Sequence, residues 1–270
     1  MSRISGIFSS LAEKNGTALV PYITAGDPVP GATVELMHGL VEAGADIIEL
    51  GVPFSDPMAD GPVIQAACER ALKHDVSLSN VLEMVTEFRS SNQDTPVVLM
   101  GYLNPIEIMG YELFAERATQ AGVDGVLVVD IPPEEATEVV TLFHDKNIDT
   151  IFLAAPTTTA ERLGLIASVS SGFLYYVSIK GVTGAASLDV GALTEKLDVI
   201  KQHTELPVGV GFGISTAEDA GAVAKVADAV VVGSALVKFI AEQPDDIKSI
   251  KASMQELLSS MRESINNAST

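Results

Sequence analysis

The sequence predicts a single (β/α)8 TIM barrel that occupies residues 1–270. Eight short apolar segments alternate with amphipathic segments along the whole chain, and no low-complexity linker separates them. Most of the apolar segments are rich in Val, Ile and Leu at every position, which is typical of parallel strands covered on both faces. Such an alternation favours a barrel. An open doubly wound sheet is the alternative, but no Gly-x-Gly-x-x-Gly turn follows the first strand.

The individual elements follow from the spacing of apolar residues along the chain. The predicted strands are 18–24, 46–52, 96–102, 125–130, 150–155, 173–179, 207–212 and 229–233. The predicted helices are 32–42, 62–72, 78–90, 107–120, 134–145, 160–170, 189–203, 216–224 and 247–264. An extra N-terminal helix is predicted to pack against the barrel, because apolar residues recur there at helical spacing: Ile4, Ile7, Phe8 and Leu11.

Composition limits the possible partners and the compartment. A formal net charge of −20 argues against nucleic acid or an anionic membrane as a partner. Apolar segments stay short of the roughly 18 residues of a membrane span, so we expect a soluble, cytoplasmic protein. The single cysteine, Cys68, suits a reducing compartment, and its helical setting favours a small buried side chain over a nucleophile. Metal-ligand spacing is absent from the four histidines: His38, His74, His144 and His203.

The segment 47–61, IIELGVPFSDPMADG, contains the strongest candidate site. Glu49 lies near the end of an apolar strand, where a buried carboxylate is costly unless it is paired, hydrogen-bonded or neutral. Raised carboxyl pKa values are typical of general acids and bases, although a structural network is the alternative. Asp60 can converge on the same barrel mouth or simply cap the next helix. Asp56 precedes a proline and fits a turn or a partner contact.

Other aspartates have mainly structural interpretations. Asp130 ends its strand before two prolines and is predicted to cap a helix. Asp46, Asp124 and Asp228 each enter a strand in a weak internal repeat. Since function in barrels collects at the opposite, carboxyl ends of the strands, we interpret these three as turn and cap residues.

Two glycine clusters predict a phosphate site. Residues 209–213 end the seventh strand, and Gly233-Ser234 end the eighth and open a helix. Barrels often bind phosphate with these two loops, where backbone N–H groups and a helix N-terminus face the anion. Residues 178–187 after the sixth strand form a candidate lid, in which Lys180 could form a Schiff base but is more simply solvated. Either Tyr175 or Tyr176 should face the barrel interior.

Several of these segments together resemble the tryptophan synthase α subunit family over essentially the whole chain. They are VPYITAGDP at 20–28, ELGVPFSDPMADGPVIQ at 49–65, Gly101-Tyr102 with Asn104-Pro105, GVTG at 181–184, GFGIS at 211–215, and Gly233-Ser234. The second segment is close to diagnostic. The chain departs from the family's usual pattern at Tyr22, where Phe is more frequent, and carries Lys180 just before the lid glycine.

The resemblance implies a retro-aldol lyase that cleaves indole-3-glycerol phosphate to indole and glyceraldehyde 3-phosphate. Glu49 would be the acid/base at indole C3, and Asp60 would bind the indole N–H and stabilise positive charge there. The resemblance also implies the substrate-binding residues: Tyr22, Met100, Val129, Tyr175, Thr183, Gly184, Phe212, Gly213, Gly233 and Ser234. The chain itself would need no cofactor or metal.

The same resemblance implies a partner, a β subunit that binds pyridoxal phosphate, in an α2β2 assembly. Asp56 would lie at the interface with this β subunit. Two other hypotheses remain open from the sequence. One is a different phosphate-sugar aldolase or isomerase, and the other is a non-catalytic barrel that activates a partner enzyme. Intact Glu49 and Asp60 count against the last, since a purely binding subunit has no use for a buried carboxylate.

Overall fold

The computed structural model describes residues 2–178, 189–211 and 213–268. In these ranges the strands are β1 Ala18–Thr24, β2 Ile48–Gly51, β3 Val97–Gly101, β4 Gly125–Val128, β5 Asp149–Ile151, β6 Leu153–Ala154, β7 Leu174–Val177, β8 Val208–Gly211 and β9 Ala229–Val232. They form one parallel sheet in the order β5-β4-β3-β2-β1-β9-β8-β7-β6. The two strands at the ends of this order, β5 and β6, are consecutive in the chain and flank Phe152. The sheet therefore nearly closes on itself, and the predicted barrel is confirmed.

Helices cover the outside of this sheet. They are α1 Arg3–Ala12, α2 Thr33–Glu42, α3 Pro62–Leu72, α4 Leu78–Arg89, α5 Leu103–Met109, α6 Tyr111–Ala121, α7 Thr137–Asp145, α8 Ala160–Val169, α9 Val190–Lys201, α10 Ala217–Ala224, α11 Ser234–Glu242 and α12 Ile247–Ala268. Within the described ranges, none of these helices is long and apolar enough to cross a membrane. The extra N-terminal helix is present as predicted, and α3 has its predicted bounds.

Two elements that were predicted as continuous are each divided in two. The predicted helix 107–120 is instead two helices, α5 and α6, which meet at Gly110 with a φ of 89°. A positive φ suits glycine and ends a right-handed helix, although the apolar spacing continues through it. The predicted strand 150–155 is likewise divided into β5 and β6, which pair with different neighbours.

The three aspartates that enter strands are structural, as predicted. The carboxylate of each accepts a hydrogen bond from a backbone N–H of a preceding strand: Asp46 from Leu19, Asp124 from Val97 and Asp228 from Val208. Each carboxylate also pairs with a cation, respectively Arg262, Arg89 and Lys201. These contacts tie the amino-terminal ends of the strands together, so this end of the barrel serves stability.

The barrel interior is divided into an apolar lower part and an open upper part. Ile4 and Phe8 of α1 are buried against inward-facing residues from the lower part of the strands, and the Phe8 ring lies 5.7 Å from that of Phe173. The first helix thus closes the amino-terminal end of the barrel. Ile47 belongs to this lower layer, and Glu49, two residues further along the same strand face, belongs to the upper one.

Candidate active site

A cavity of about 420 Å³ opens at the carboxyl ends of the strands. Nine of the predicted site residues line it: Tyr22, Glu49, Asp60, Met100, Val129, Tyr175, Gly213, Gly233 and Ser234. They come from seven different segments of the chain, so the barrel brings together residues that the sequence keeps far apart. Thr183, Gly184, Phe212 and most of the predicted lid lie outside the described residues.

Glu49 stands on β2, in register with Tyr22 of β1 and Val98 of β3. Its side chain is 3% exposed. Burial raises the pKa of the Glu49 carboxyl to about 8, and the negative charge of Asp60 adds to this rise. Within the described part of the chain, the carboxylate has no hydrogen bond and no ion pair. The structural alternative, a buried Glu held by a lysine or by backbone donors, therefore finds no support there. A pKa of about 8 favours the protonated form of Glu49 at neutral pH.

Asp60 does not cap the helix that follows it. The N-cap of α3 is Gly61, which has no side chain to offer, and Pro62 occupies the first turn. The Asp60 carboxylate turns instead into the cavity, where its Oδ2 accepts a 2.8 Å hydrogen bond from the hydroxyl of Tyr102. Burial raises the pKa of Asp60, and this hydrogen bond partly lowers it again. The two carboxyl groups thus have different environments within one cavity.

Tyr102 is a contact of the site that the sequence analysis did not single out. It lies directly after β3 and is 4% exposed. A tyrosine that follows a buried strand is a weak signal, since its partner Asp60 lies 42 residues away in the chain. The motif Gly101-Tyr102 belongs to the family resemblance, but only the fold shows what the hydroxyl contacts.

The glycine-rich end of the cavity has the features of an anion site. Gly213 has a φ of 79°, in the region that favours glycine. The helix α11 begins at Ser234, and its N-cap, Gly233, forms no side-chain cap hydrogen bond. Leu236 and Val237 donate their N–H groups to the Gly233 carbonyl, which leaves those of Ser234 and Ala235 to face an anion that the helix dipole also attracts. Lys238, which the sequence analysis missed, is the one cationic side chain among the described residues that line the cavity.

The walls between these two ends are apolar. The aliphatic lining includes Met100 and Val129, as predicted, and also residues that the sequence analysis did not name: Ile64, Leu127, Leu153, Val177 and Val231. Tyr175 is the tyrosine that faces the interior, whereas Tyr176 belongs to the layer under the helices. Such a wall suits a flat aromatic group next to the two carboxylates.

The small residue Gly51 leaves room for the hydroxyl of Tyr22. This hydroxyl lies 3.1 Å from Oγ1 of Thr24. A Cβ at Gly51 would lie 2.1 Å from this hydroxyl, so the ring of Tyr22 fills the space above the end of β2. A phenylalanine at this position would leave that hydrogen bond unmade.

The remaining candidates lie outside this cavity. Asp56 is exposed on the loop before Asp60. Asp130 accepts a 2.8 Å hydrogen bond from the backbone N–H of Leu103, so it supports the start of α5 rather than the helix that follows it in sequence. Cys68 is buried, and burial raises the pKa of its thiol, which suits the predicted packing role. No cluster of metal-ligand residues occurs in the part of the chain that is described.

A parallel barrel with a cavity at the carboxyl ends of its strands, lined by two dissimilar carboxyl groups, is the architecture of a TIM-barrel enzyme. A family model described as tryptophan synthase alpha chain matches residues 8–266. The tryptophan synthase alpha chain of Marinobacter nauticus is 60% identical over 267 residues, which cover 99% of each chain. The chain belongs to the tryptophan synthase alpha chain family.

Solved structures agree with this assignment. The crystal structure of tryptophan synthase subunit alpha from Legionella pneumophila matches with a TM-score of 0.92 at 48% identity, over 99% of both chains. A chain of the tryptophan synthase complex from Pyrococcus furiosus matches with a TM-score of 0.82 at 39% identity, over 91% of this chain and 98% of that one. The predicted class, a carbon–carbon lyase, is confirmed, and the alternatives of another aldolase, an isomerase or a non-catalytic subunit find no support.

Proposed function

We propose that Glu49 and Asp60 perform the α reaction of tryptophan synthase, the cleavage of indole-3-glycerol phosphate to indole and glyceraldehyde 3-phosphate. The observation that carries this assignment is the pair of carboxyl groups in one apolar cavity, one of them with a pKa of about 8. A retro-aldol reaction at indole C3 needs both an acid and a stabiliser of positive charge, and the two environments separate these roles.

Binding of the substrate follows the polarity of the cavity. The phosphate lies against Gly213, Gly233 and Ser234, where the first turn of α11 presents its backbone N–H groups. The indole ring lies between the apolar walls, with Tyr22, Met100, Val129 and Tyr175 as its surroundings. This orientation places the ring nitrogen towards Asp60 and C3 towards Glu49.

The reaction proceeds in two proton transfers. Protonated Glu49 donates its proton to indole C3, which would otherwise leave as a carbanion, and the positive charge moves to the ring nitrogen. Ionised Asp60 accepts a hydrogen bond from that N–H and stabilises the charge. The Glu49 carboxylate then accepts the proton of the glycerol hydroxyl as the carbon–carbon bond breaks. The bond's electron pair returns to the ring, so indole leaves, the hydroxyl becomes the aldehyde, and Glu49 ends protonated as it began.

The partner of this chain is the β subunit of tryptophan synthase, which carries pyridoxal phosphate and consumes the indole within an α2β2 assembly. The α chain exposes two large apolar side chains: Met58, two residues after Asp56, is 82% exposed, and Ile108 is 79% exposed. Both lie at the carboxyl end of the barrel, on the loop that carries Asp60 and on α5. We infer that Asp56 contacts the β subunit together with these two side chains. We place the protein in the cytoplasm.

Release of indole from indole-3-glycerol phosphate, with and without the β subunit, tests these assignments. Glu49→Gln should lower the rate by several orders of magnitude, because it removes proton transfer at both steps. Asp60→Asn should also lower kcat strongly, since a neutral amide does not offset the charge of the indolenine. Activation of the β subunit should survive the Glu49 change. Retention of most of the lyase rate by Glu49→Gln would contradict its role.

A further inference from the structure

Tyr102 contacts the loop that carries Asp60 at three separate points. Its hydroxyl donates a 2.8 Å hydrogen bond to Oδ2 of Asp60. The hydroxyl oxygen of Tyr102 also accepts a 3.0 Å hydrogen bond from the backbone N–H of Ala59. Its ring stacks on that of Phe54, with centroids 5.1 Å apart and planes inclined by 29°. The side chain thus holds the beginning and the end of the loop from a different strand.

The loop has few other anchors across the barrel mouth. Its other described hydrogen bonds stay within the loop or reach α3, where the Gln65 amide donates to the backbone carbonyl of Asp60 and the Cys68 thiol is hydrogen-bonded to the backbone of Phe54. A loop with exposed residues such as Asp56 and Met58 is mobile unless something holds it. Tyr102 is nearly fully buried and directly follows β3, so it anchors this loop to the neighbouring strand of the barrel.

The hydrogen bond from Tyr102 also makes the two carboxylate oxygens of Asp60 different from each other. Tyr102 occupies Oδ2, and Oδ1 has no hydrogen bond from the described residues. Since Asp60 lines the cavity, Oδ1 is the oxygen left to accept a hydrogen bond from the indole N–H. A hydroxyl donor, moreover, favours the ionised form of the carboxylate.

We propose that Tyr102 is the positioning residue of the α reaction, which orients Asp60 and keeps it ionised for the indole N–H. The inference rests on the proposed role of Asp60. Tyr102 itself does not transfer a proton, since its hydroxyl already donates to Asp60 and accepts from Ala59.

Other charged and titratable groups around Asp60 remain in place when the hydroxyl of Tyr102 is removed. They are Glu49 on β2, Tyr22 on β1, Cys68 on α3, Tyr175 on β7 and Lys238 on α11. Burial and the hydrogen bond of Tyr102 oppose each other in the pKa of Asp60. Loss of the hydroxyl therefore raises this pKa, and the acid limb of the rate profile moves to higher pH.

The test uses Tyr102→Phe, which keeps the ring on Phe54 and removes only the hydroxyl. In the full chain with its β subunit, we expect kcat for indole release to fall by about tenfold to a hundredfold. The low-pH limb of kcat/KM should move upward by about one unit. Tyr176→Phe is the matched control, because that ring is equally buried but lies in the layer under the helices. It should change neither quantity.

A double variant separates an effect through Asp60 from a general loss of structure. If Tyr102 acts through Asp60, then Asp60→Asn combined with Tyr102→Phe should be no slower than Asp60→Asn alone. Additive losses of kcat in the double variant, or an acid limb that stays in place in Tyr102→Phe, would overturn the inference about Tyr102. Neither result would contradict the proposed role of Asp60. A fully active Asp60→Asn would instead refute the proposed role of Asp60 itself.

Discussion

Glu49 and Asp60 line one cavity, and the charge of Asp60 contributes to the raised pKa of Glu49. Desolvation makes the larger contribution to the raised pKa of Glu49, which is buried in the barrel, and it also raises the pKa of Asp60, which lies on the loop. Two carboxyl groups that share a site do not readily ionise together. This arrangement supports the proposed division of roles, in which Glu49 is the acid and Asp60 the anion.

The pH profile of the lyase should report this arrangement. Because the proposed acid is protonated Glu49, with a pKa of about 8, we expect kcat/KM for indole release to fall above about pH 8. Profiles at constant ionic strength over the range where the protein remains folded provide the measurement. A kcat/KM that stays flat well beyond pH 9 would show that the ionisation of Glu49 is not seen in catalysis.

Glu49 should lower the free energy of unfolding at neutral and alkaline pH. Its folded pKa of about 8 exceeds the ordinary value of 4.5, so between these two values the folded chain binds more protons than the unfolded chain. The free energy of unfolding consequently falls as the pH rises through this window. Glu49→Gln removes the cost and should be more stable than the parent by on the order of 3 kcal/mol at pH 7.

Urea unfolding at pH 4.5 and at pH 8 measures this difference. Glu256→Gln, an exposed change on α12, is the control and should alter stability little at either pH. An equal stability of Glu49→Gln and the parent at pH 8 would mean that the buried carboxyl is not held neutral.

Lys238 should attract the phosphate of the substrate. The chain has a net charge of −20, and Lys238 lines the cavity four residues after Ser234, on the same face of α11. Lys238→Gln should lower kcat/KM by about threefold to tenfold at low salt, mainly through KM, and the loss should shrink as salt is added. Lys248→Gln, at an exposed position of α12, is the control. A salt-independent loss, or an equal loss in the control, would contradict electrostatic attraction by Lys238.

The aspartates that enter strands should differ in their importance for stability according to burial. The side chains of Asp124 and Arg89 are 4% and 7% exposed, whereas those of Asp228 and Lys201 are 38% and 45% exposed. Asp124→Asn leaves the Arg89 charge buried with less compensation, so it should cost about 3–5 kcal/mol. Asp228→Asn breaks an exposed pair and should cost under about 1 kcal/mol. Urea unfolding of the two variants provides the comparison, and similar losses would mean that burial does not decide the effect.

The sequence by itself determined the elements whose causes are local. The repeat of apolar segments predicts the barrel, and Pro62 with the spacing after it predicts α3 from its first to its last residue. Glu49 is recognisable because a carboxylate in an apolar strand is unusual wherever that strand lies. The breaks at Gly110 and Phe152 were missed, since the apolar pattern continues through both and the barrel's closure decides where the backbone turns.

The tertiary structure alone decided which groups act together. From the sequence, Asp60 fits a helix cap and a site residue equally well. Only its contact with Tyr102, 42 residues away, distinguishes these two interpretations. Lys238 is an ordinary surface lysine until α11 places it at the cavity. Periodicity and composition act over a few residues, so they specify secondary structure. Hydrogen bonds, desolvation and charge act through space, and their partners are known only once the chain has closed into a barrel.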